Sequence, residues 1–220
     1  MKLPARVSAI VFDCDGLLVD TEPAWTVGET GVFAENGFEF GPEQKRLVIG
    51  KSLVHATADM ADYFGRPGTG AQLIDRLVEL VEQQLLLGVP ALPGVEELLD
   101  AIGDRVPVAV ASNSSRKFLA LSLAGAGLAD RFTVTVSSED VDHPKPSPDL
   151  YLEAFARLGA EPAHGVAAED SATGIASARA SGAFVLAVPS FPDETVDGDY
   201  IAGSLADAAV LEWGRSVQPI

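Results

Sequence analysis

Short apolar runs recur along the chain and predict the strands of a single sheet. They are rich in valine and alanine, and they are continuous rather than alternating between apolar and polar residues. Continuous runs of this length are typical of parallel strands that are covered on both faces. The five runs are Val7–Phe12, Val106–Ala111, Phe132–Val136, Gly165–Ala168 and Phe184–Val188.

Segments with helical periodicity lie between these runs. Pro148–Leu158 carries proline at its first position and follows Ser147, which we expect to cap the helix. Ala172–Ser181 follows Ser171, a second predicted cap, and stops at Gly182, a residue type favoured just beyond a helix end. The other two predicted helices here are Gly94–Ile102 and Lys117–Leu123. Strands that alternate with helices predict an α/β fold with a doubly wound parallel sheet.

Residues 22–88 interrupt the alternation because they show helical patterns only. The stretch is longer than the few tens of residues that a crossover between parallel strands takes. Its predicted helices are Ala24–Glu35, Ser52–Phe64 and Ala71–Leu87. We predict an α/β core formed by residues 1–21 and 89–220, with a small all-helical cap domain, residues 22–88, inserted after the first strand.

The composition narrows the possible functions. The chain has 220 residues, of which 47% are hydrophobic, and a formal net charge of −17. Such a surface repels nucleic acids and anionic lipids. No apolar run approaches the roughly 18 residues of a membrane span, the N-terminus lacks a signal-peptide layout, and the single cysteine, Cys14, forms no internal disulfide. We expect a cytoplasmic monomer that binds neither nucleic acid nor membrane.

The most informative motif follows the first predicted strand. Asp13 ends that strand, Asp15 follows two residues later, and Gly16 allows the backbone to turn sharply behind them. Ligands of open α/β sheets bind at the carboxyl ends of the strands. The motif therefore places two carboxylates at the expected site, whereas Cys14 between them is predicted to be a packed thiol.

Three further motifs lie at or near the carboxyl ends of strands, on the same edge of the predicted sheet. Ser112 and Asn113 follow the second strand, Lys145 stands between two prolines, and Glu169 and Asp170 follow the fourth strand. Taken alone, these motifs also fit a helix-capping cluster, a surface lysine and acidic residues at a helix N-terminus. Their common position at one sheet edge favours a single phosphate-binding and metal-binding site.

In order and spacing, the four motifs resemble those of the haloacid dehalogenase-like superfamily of phosphotransferases. The helical insert resembles the cap of its β-phosphoglucomutase-like branch, which includes sugar-phosphate phosphatases. The resemblance implies that Asp13 attacks phosphorus to form an aspartyl-phosphate, and that Asp15 serves first as general acid and then as general base. An acid at position 15 favours phosphate-ester chemistry over the dehalogenase branch, which lacks this acid and needs no Mg²⁺.

The same resemblance implies a Mg²⁺ ion held by Asp13, the backbone carbonyl of Asp15, and Asp170. It also implies that Lys145 neutralises the nucleophile and the phosphoryl group, and that Glu169 orients water molecules on the metal. Ser112 and the backbone N–H of Asn113 are expected to hold phosphate oxygens.

Further substrate contacts are predicted outside these motifs. Glu22 and Trp25 stand in a segment that resembles the hinge of sugar-phosphate phosphatases, although a tryptophan here also fits simple packing. Lys51, expected to lie one helical turn before His55, and Arg116 are candidates for anion contacts, and both also fit a solvated surface.

The predicted function is a Mg²⁺-dependent phosphatase of small phosphorylated metabolites, with sugar phosphates as the favoured class. A phosphomutase of hexose phosphates is the alternative. Its members carry histidine and arginine where Trp25 and Leu53 stand here, which weakens that interpretation. A catalytically silent phosphometabolite-binding protein of the same fold is the non-enzymatic alternative.

Overall fold

A computed structural model describes residues 1–49, 51–190 and 196–220 of the chain. The chain divides into two compact units. The core unit combines Met1–Asp20 with Pro90–Ile220, and the cap unit is Thr21–Val89. The cap unit extends one residue beyond each end of the 22–88 insert that is predicted from the sequence.

The core unit contains a six-stranded parallel sheet, and the sequence predicts five of these strands. The strands are β1 Arg6–Val7, β2 Ile10–Phe12, β3 Val108–Ala111, β4 Val134–Val136, β5 Val166–Glu169, β6 Phe184–Ala187, β7 Tyr200–Ile201 and β8 Gln218–Pro219. Their order in the main sheet is β4-β3-β2-β5-β6-β7. All neighbouring pairs are parallel, and β1 pairs separately with β8, so the prediction of an α/β parallel-sheet fold is confirmed.

Nine α-helices are found among the described residues. They are α1 Glu22–Glu35, α2 Pro42–Val48, α3 Leu53–Tyr63, α4 Ala71–Leu86, α5 Val95–Ile102, α6 Arg116–Gly125, α7 Asp149–Arg157, α8 Ala172–Ala180 and α9 Ala208–Ser216. The elements α2, α9, β7 and β8 were not predicted from the sequence. The prediction also merged β1 and β2 into one strand, whereas the structure separates them.

The predicted helix caps are correct at α8 and wrong at α7. The Ser171 side chain accepts a hydrogen bond from the Gly174 backbone N–H (3.1 Å), and Gly182 has a positive φ of 87° just beyond the helix. By contrast, α7 begins at Asp149, with Pro148 at the capping position. The Ser147 hydroxyl instead donates to the Asp149 carboxylate (2.7 Å), so Ser147 does not cap the helix.

The core is built from the faces of the sheet and its helices. Helix α7 packs on β3 and β4, and it buries Leu150, Tyr151, Ala154 and Phe155 completely. This spacing of i, i+1, i+4 and i+5 makes one apolar stripe on the helix. Strand β2 lies in the middle of the sheet, between β3 and β5. Its carboxyl end therefore has the end of a parallel strand on each side.

The cap unit packs its helices around an aromatic cluster. Helices α1 and α4 make its most extensive contact, and α3 packs on both α2 and α4. The aromatic residues in mutual contact are Phe33, Phe38, Phe40, Tyr63 and Phe64. None of the helices in the described part of the chain is both long and apolar enough to cross a membrane.

Candidate active site

The sheet register brings the first, second and fourth motifs to one edge. Phe12 lies opposite Val110 on β3 and opposite Ala168 on β5. The backbone N–H of Asp13 then donates to the Ala168 carbonyl (2.9 Å), which continues the ladder by one residue. The residues that follow these three strands therefore emerge side by side, as expected for parallel strands.

Lys145 lies within hydrogen-bonding distance of two acidic side chains. Its Nζ is 2.5 Å from Asp13 Oδ1 and 2.5 Å from Glu169 Oε1, and all three side chains are buried. Burial alone would lower the pKa of Lys145, but the charges of Asp13 and Glu169 outweigh that effect and raise it. The amine is therefore charged, and its position is fixed by its two carboxylate partners.

The backbone around Lys145 is held by Asn113. The Lys145 backbone N–H donates to Asn113 Oδ1 (2.8 Å), and Asn113 Nδ2 donates to the Lys145 carbonyl (3.2 Å). This pair of hydrogen bonds joins the second motif to the third. The Asn113 side chain thus has a structural role beside the phosphate contact predicted for its backbone N–H.

Glu169 is completely buried, and both of its carboxylate oxygens have partners. Oε1 accepts from Lys145 and from the Tyr151 hydroxyl (2.8 Å). Oε2 accepts from the Asp170 backbone N–H (3.0 Å) and from the Ser171 hydroxyl (3.3 Å). These contacts make Glu169 the support of Lys145, and its orientation of metal-bound water stays a prediction.

The carboxylates of Asp13, Glu169 and Asp170 suit a hard cation. One oxygen from each lies within 4.8 Å of the other two. Burial, together with the charge of Glu169, raises the pKa of Asp170 to about 7, and burial likewise raises that of Asp13. Three acids beside one lysine leave a deficit of positive charge, and oxygen ligands are those that Mg²⁺ prefers. The residues present therefore fit the predicted ion.

Gly16 allows the Asp170 carboxylate to approach the first motif. Its φ is 88°, and a Cβ atom at this position would lie 2.3 Å from Asp170 Oδ2. Asp170 Oδ2 also accepts a hydrogen bond from the Ser190 hydroxyl (2.5 Å). Only glycine combines this backbone conformation with the close approach, so Gly16 contributes to placing Asp170.

Asp15 is bound by two serine hydroxyls from the second motif. Its Oδ2 accepts from Ser112 Oγ (3.1 Å) and from Ser114 Oγ (2.8 Å). Its Oδ1 is buried and accepts no hydrogen bond from any residue in the described ranges. Cys14, between the two acids, is fully buried, and burial raises the pKa of its thiol, in agreement with a packed residue.

A comparison with known protein families agrees with the chemistry that the site geometry suggests. A model of the family described as haloacid dehalogenase-like hydrolase matches residues 10–188. The chain belongs to this family. The prediction of a phosphoric monoester hydrolase is confirmed by this family and by the named phosphatases among the relatives.

Two curated relatives of this hydrolase carry informative names. Hexitol phosphatase B of Escherichia coli K12 is 29% identical over 220 residues, with 96% of each chain covered. The bifunctional riboflavin kinase/FMN phosphatase of Arabidopsis thaliana is 31% identical over 214 residues, which cover 94% of this chain. The present chain spans 56% of the length of that bifunctional relative.

A solved structure extends the similarity to the whole chain. It is a haloacid dehalogenase family hydrolase from Deinococcus radiodurans R1, crystallised with bound phosphate and sodium. The two chains are 28% identical, with a TM-score of 0.76, and the match covers 99% of this chain and 100% of that one.

The charged residues among the other predicted substrate contacts form ion pairs within their own units. Arg116 donates to Asp140 (2.9 Å) in the core. In the cap, Glu22 pairs with Lys45 (2.5 Å) and Lys51 with Asp59 (2.5 Å). The structure therefore does not bring Arg116 into the carboxylate–lysine cluster of the core.

One prediction about the cap is wrong. Lys51 and His55 do not lie one turn apart on a helix, because α3 begins at Leu53 and Ser52 caps it. The Ser52 hydroxyl contacts His55 Nδ1 at 2.8 Å, so His55 belongs to the capping arrangement. Trp25, in the first turn of α1, is half-buried within the cap unit.

Three residues of the site were missed from the sequence. Ser114 lies in the predicted second motif, and its hydroxyl distance to Asp15 is shorter than that of Ser112. Tyr151 contacts Glu169 and places its ring 4.9 Å from the Lys145 amine. Tyr151 gave no signal because it sits on an apolar helix stripe, and Ser190 gave none because it lies beyond the predicted strand end.

Proposed function

We propose that the chain is a Mg²⁺-dependent phosphatase of small phosphorylated metabolites, with sugar and hexitol phosphates as the favoured substrates. The observation that carries the proposal is the buried contact between Lys145 and Asp13 inside a cluster of acids. A relative named hexitol phosphatase B, similar over nearly the whole chain, supports the substrate class.

Asp13 is the proposed nucleophile. Burial and the neighbouring acids raise its pKa, whereas the charge of Lys145 lowers it. Lys145 therefore favours the ionised carboxylate that nucleophilic attack requires. An oxygen of Asp13 forms a bond to phosphorus as the ester P–O bond breaks, and the product is an aspartyl-phosphate.

Asp15 is the proposed proton carrier. It gives a proton to the leaving alkoxide in the first step, and in the second step it takes one from the water that attacks the aspartyl-phosphate. The same group serves both steps because the first leaves it as a carboxylate. Inorganic phosphate is then released, and Asp13 is regenerated.

Positive charge is needed because a carboxylate must approach a phosphate anion. Asp13, the backbone carbonyl of Asp15, and Asp170 would hold Mg²⁺, which when bound offsets the repulsion between the two anions. Lys145 contributes a second positive charge from within the chain. The Ser112 hydroxyl and the Asn113 backbone N–H are the proposed ligands of the remaining phosphate oxygens.

Residues of the cap are proposed to set the preference among esters. Glu22 offers a carboxylate for sugar hydroxyls, and Trp25 offers an aromatic ring for a sugar face. To bind an anion, Lys51 and Arg116 would have to leave Asp59 and Asp140. Glu22 would likewise have to share its carboxylate with Lys45.

The test is phosphate release from a panel of hexose, hexitol, pentose and nucleoside phosphates, measured with and without Mg²⁺. We expect Mg²⁺-dependent release from one or a few sugar or hexitol phosphates. Asp13→Asn is expected to lower turnover by at least about 1,000-fold, since an amide is a poor nucleophile. Asp142→Asn removes an exposed charge and serves as the matched control.

Two results would contradict the proposal. No release from any ester by folded protein with Mg²⁺ would favour the phosphomutase or the silent binding protein. Activity of the Asp13→Asn variant near that of the wild type would remove Asp13 from the role of nucleophile.

A further inference from the structure

The two oxygens of the Asp15 carboxylate differ in their surroundings. Oδ2 accepts from Ser112 Oγ and Ser114 Oγ, whereas the buried Oδ1 accepts from no residue of the described chain. A carboxylate oxygen offers two lone pairs, and both lone pairs of Oδ2 are therefore used. Asp15 accordingly carries its proton on Oδ1, the oxygen that has no donor whether or not Ser112 stays on Oδ2.

Ser112 cannot keep this contact throughout the proposed reaction. A serine hydroxyl has one proton to donate. In the structure that proton is directed at Asp15, whereas in the proposed function it is directed at a phosphate oxygen. When phosphate takes the Ser112 hydroxyl, Ser114 is left as the hydroxyl that donates to Asp15 Oδ2.

The backbone of Ser114 is fixed on both sides. Its N–H donates to Ser112 Oγ (3.0 Å), and its carbonyl accepts from the Ser138 backbone N–H (3.1 Å) and hydroxyl (3.2 Å). Neither contact uses the Ser114 hydroxyl. That hydroxyl can therefore stay on Asp15 while Ser112 changes its partner.

We propose that Ser114 is a positioning residue for proton transfer by Asp15. The inference rests on the proposed function. As an Asp13 oxygen bonds to phosphorus and the ester P–O bond breaks, the proton on Asp15 Oδ1 moves to the leaving oxygen. The hydrogen bond from Ser114 to Oδ2 stabilises the carboxylate that this step creates, and it holds that oxygen in place while Oδ1 gives up the proton.

The test compares two esters that differ in their need for a proton. A sugar alkoxide must be protonated as it leaves, whereas p-nitrophenolate leaves as a stable anion. In single-turnover measurements with Mg²⁺, Ser114→Ala should slow phosphoryl transfer from the sugar phosphate by about 10- to 100-fold. Transfer from p-nitrophenyl phosphate should change by less than about 3-fold.

Three variants make the result specific to the hydroxyl of Ser114. Ser114→Thr keeps a hydroxyl and should restore transfer from the sugar phosphate. Ser114→Cys keeps the shape with a weaker donor and should repeat the ester-dependent loss, even where Ser114→Ala folds poorly. Ser138→Ala removes a neighbouring hydroxyl that does not touch Asp15, and it should affect both esters equally.

Equal losses on the two esters, or no loss on either, would overturn the role of Ser114. Wild-type protein that transfers phosphate from neither ester would instead contradict the proposed function. The two failures are therefore distinguishable.

Discussion

The Nζ atom of Lys145 lies 2.5 Å from Oδ1 of Asp13, although 132 positions separate the two residues in the chain. Both side chains are buried, and Glu169 holds the same amine from its other side at 2.5 Å. A buried charge with one partner removed is strongly destabilising. This contact therefore couples the fold of the core unit to its proposed chemistry.

Loss of the Lys145 charge should destabilise the protein in a pH-dependent manner. Lys145→Met leaves Asp13, Glu169 and Asp170 together without a cation, and it should lower the free energy of unfolding by about 3–5 kcal/mol at pH 8. Because the pKa values of Asp13 and Asp170 are already raised, protonation at pH 5 should reduce this loss. Urea denaturation without Mg²⁺ at the two pH values measures this loss of stability. Lys2→Met, which removes the charge of an exposed lysine, is the control. A loss independent of pH would contradict the account.

Mg²⁺ should stabilise the protein through Asp170. At 100 times the dissociation constant, a ligand of the folded state alone adds about 2.7 kcal/mol to the free energy of unfolding. Thermal melts at pH 8 should therefore rise with Mg²⁺ and return to the starting value with EDTA.

Asp170→Asn is the matched variant for this measurement. Its melting temperature should be insensitive to Mg²⁺. Without metal it should exceed that of the wild type, because burial and Glu169 raise the pKa of Asp170 to about 7 and thereby disfavour its ionised form at pH 8. An undiminished Mg²⁺ response in this variant would place the ion elsewhere.

A methyl group at Gly174 should disturb the support of Lys145. A Cβ atom there would lie 1.9 Å from Glu169 Oε1, and Glu169 is completely buried. Helix propensity alone favours alanine by about 1 kcal/mol, whereas overpacking of this kind costs about 1–3 kcal/mol. We expect Gly174→Ala to lower both the free energy of unfolding and turnover.

The control for this substitution is Gly203→Ala, where the added atom meets only Asp207 Oδ2, at 3.8 Å. Chemical denaturation and phosphate release should leave the control within error of the wild type. A Gly174→Ala variant that is more stable than the wild type, with unchanged turnover, would show that Glu169 is free to move.

Asp140 should govern part of the stability in acid. Partial burial raises its pKa, but hydrogen bonds from Ser137, together with Arg157 and Arg116, outweigh this and hold the pKa well below its ordinary value of 3.8. An acid with a lowered pKa stabilises the fold above its ordinary value, and this stability is lost as the pH falls. Asp140→Asn should cost about 2 kcal/mol at pH 7. The difference from the wild type should narrow below pH 4, as measured by urea denaturation across that range.

The sequence predicted those parts of the molecule that have strong local signals. Asp13, Ser112 and Asp170 each follow a continuous apolar run, so their common edge follows from the parallel sheet alone. Lys145 follows no such strand, and it was assigned through the resemblance to the family. The two-residue strands β7 and β8 are too short to show a periodic pattern.

Contacts that depend on tertiary packing were not predictable in the same way. The apolar pattern of α7 predicts Tyr151 only as an ordinary core residue. Its hydroxyl contact with Glu169 depends on how α7 packs against the sheet. Sequence spacing alone also does not show that Ser114 approaches Asp15 more closely than Ser112 does. Likewise, the salt bridges of Lys51 and Arg116 join residues whose pairing no motif specifies.

The most direct test of the central claim is detection of a phosphorylated Asp13 by mass spectrometry after rapid acid quenching. The wild-type protein would be mixed with Mg²⁺ and the best substrate of the panel. The Asp15→Asn variant, in which hydrolysis of the intermediate should be slow, would be mixed with Mg²⁺ and p-nitrophenyl phosphate, whose leaving group needs no proton. We predict that the peptide containing Asp13 gains the mass of one phosphoryl group, and that Asp13→Asn shows no gain. Substrate turnover with no phosphorylated peptide, in a protein whose Asp13→Asn variant remains active, would contradict the account.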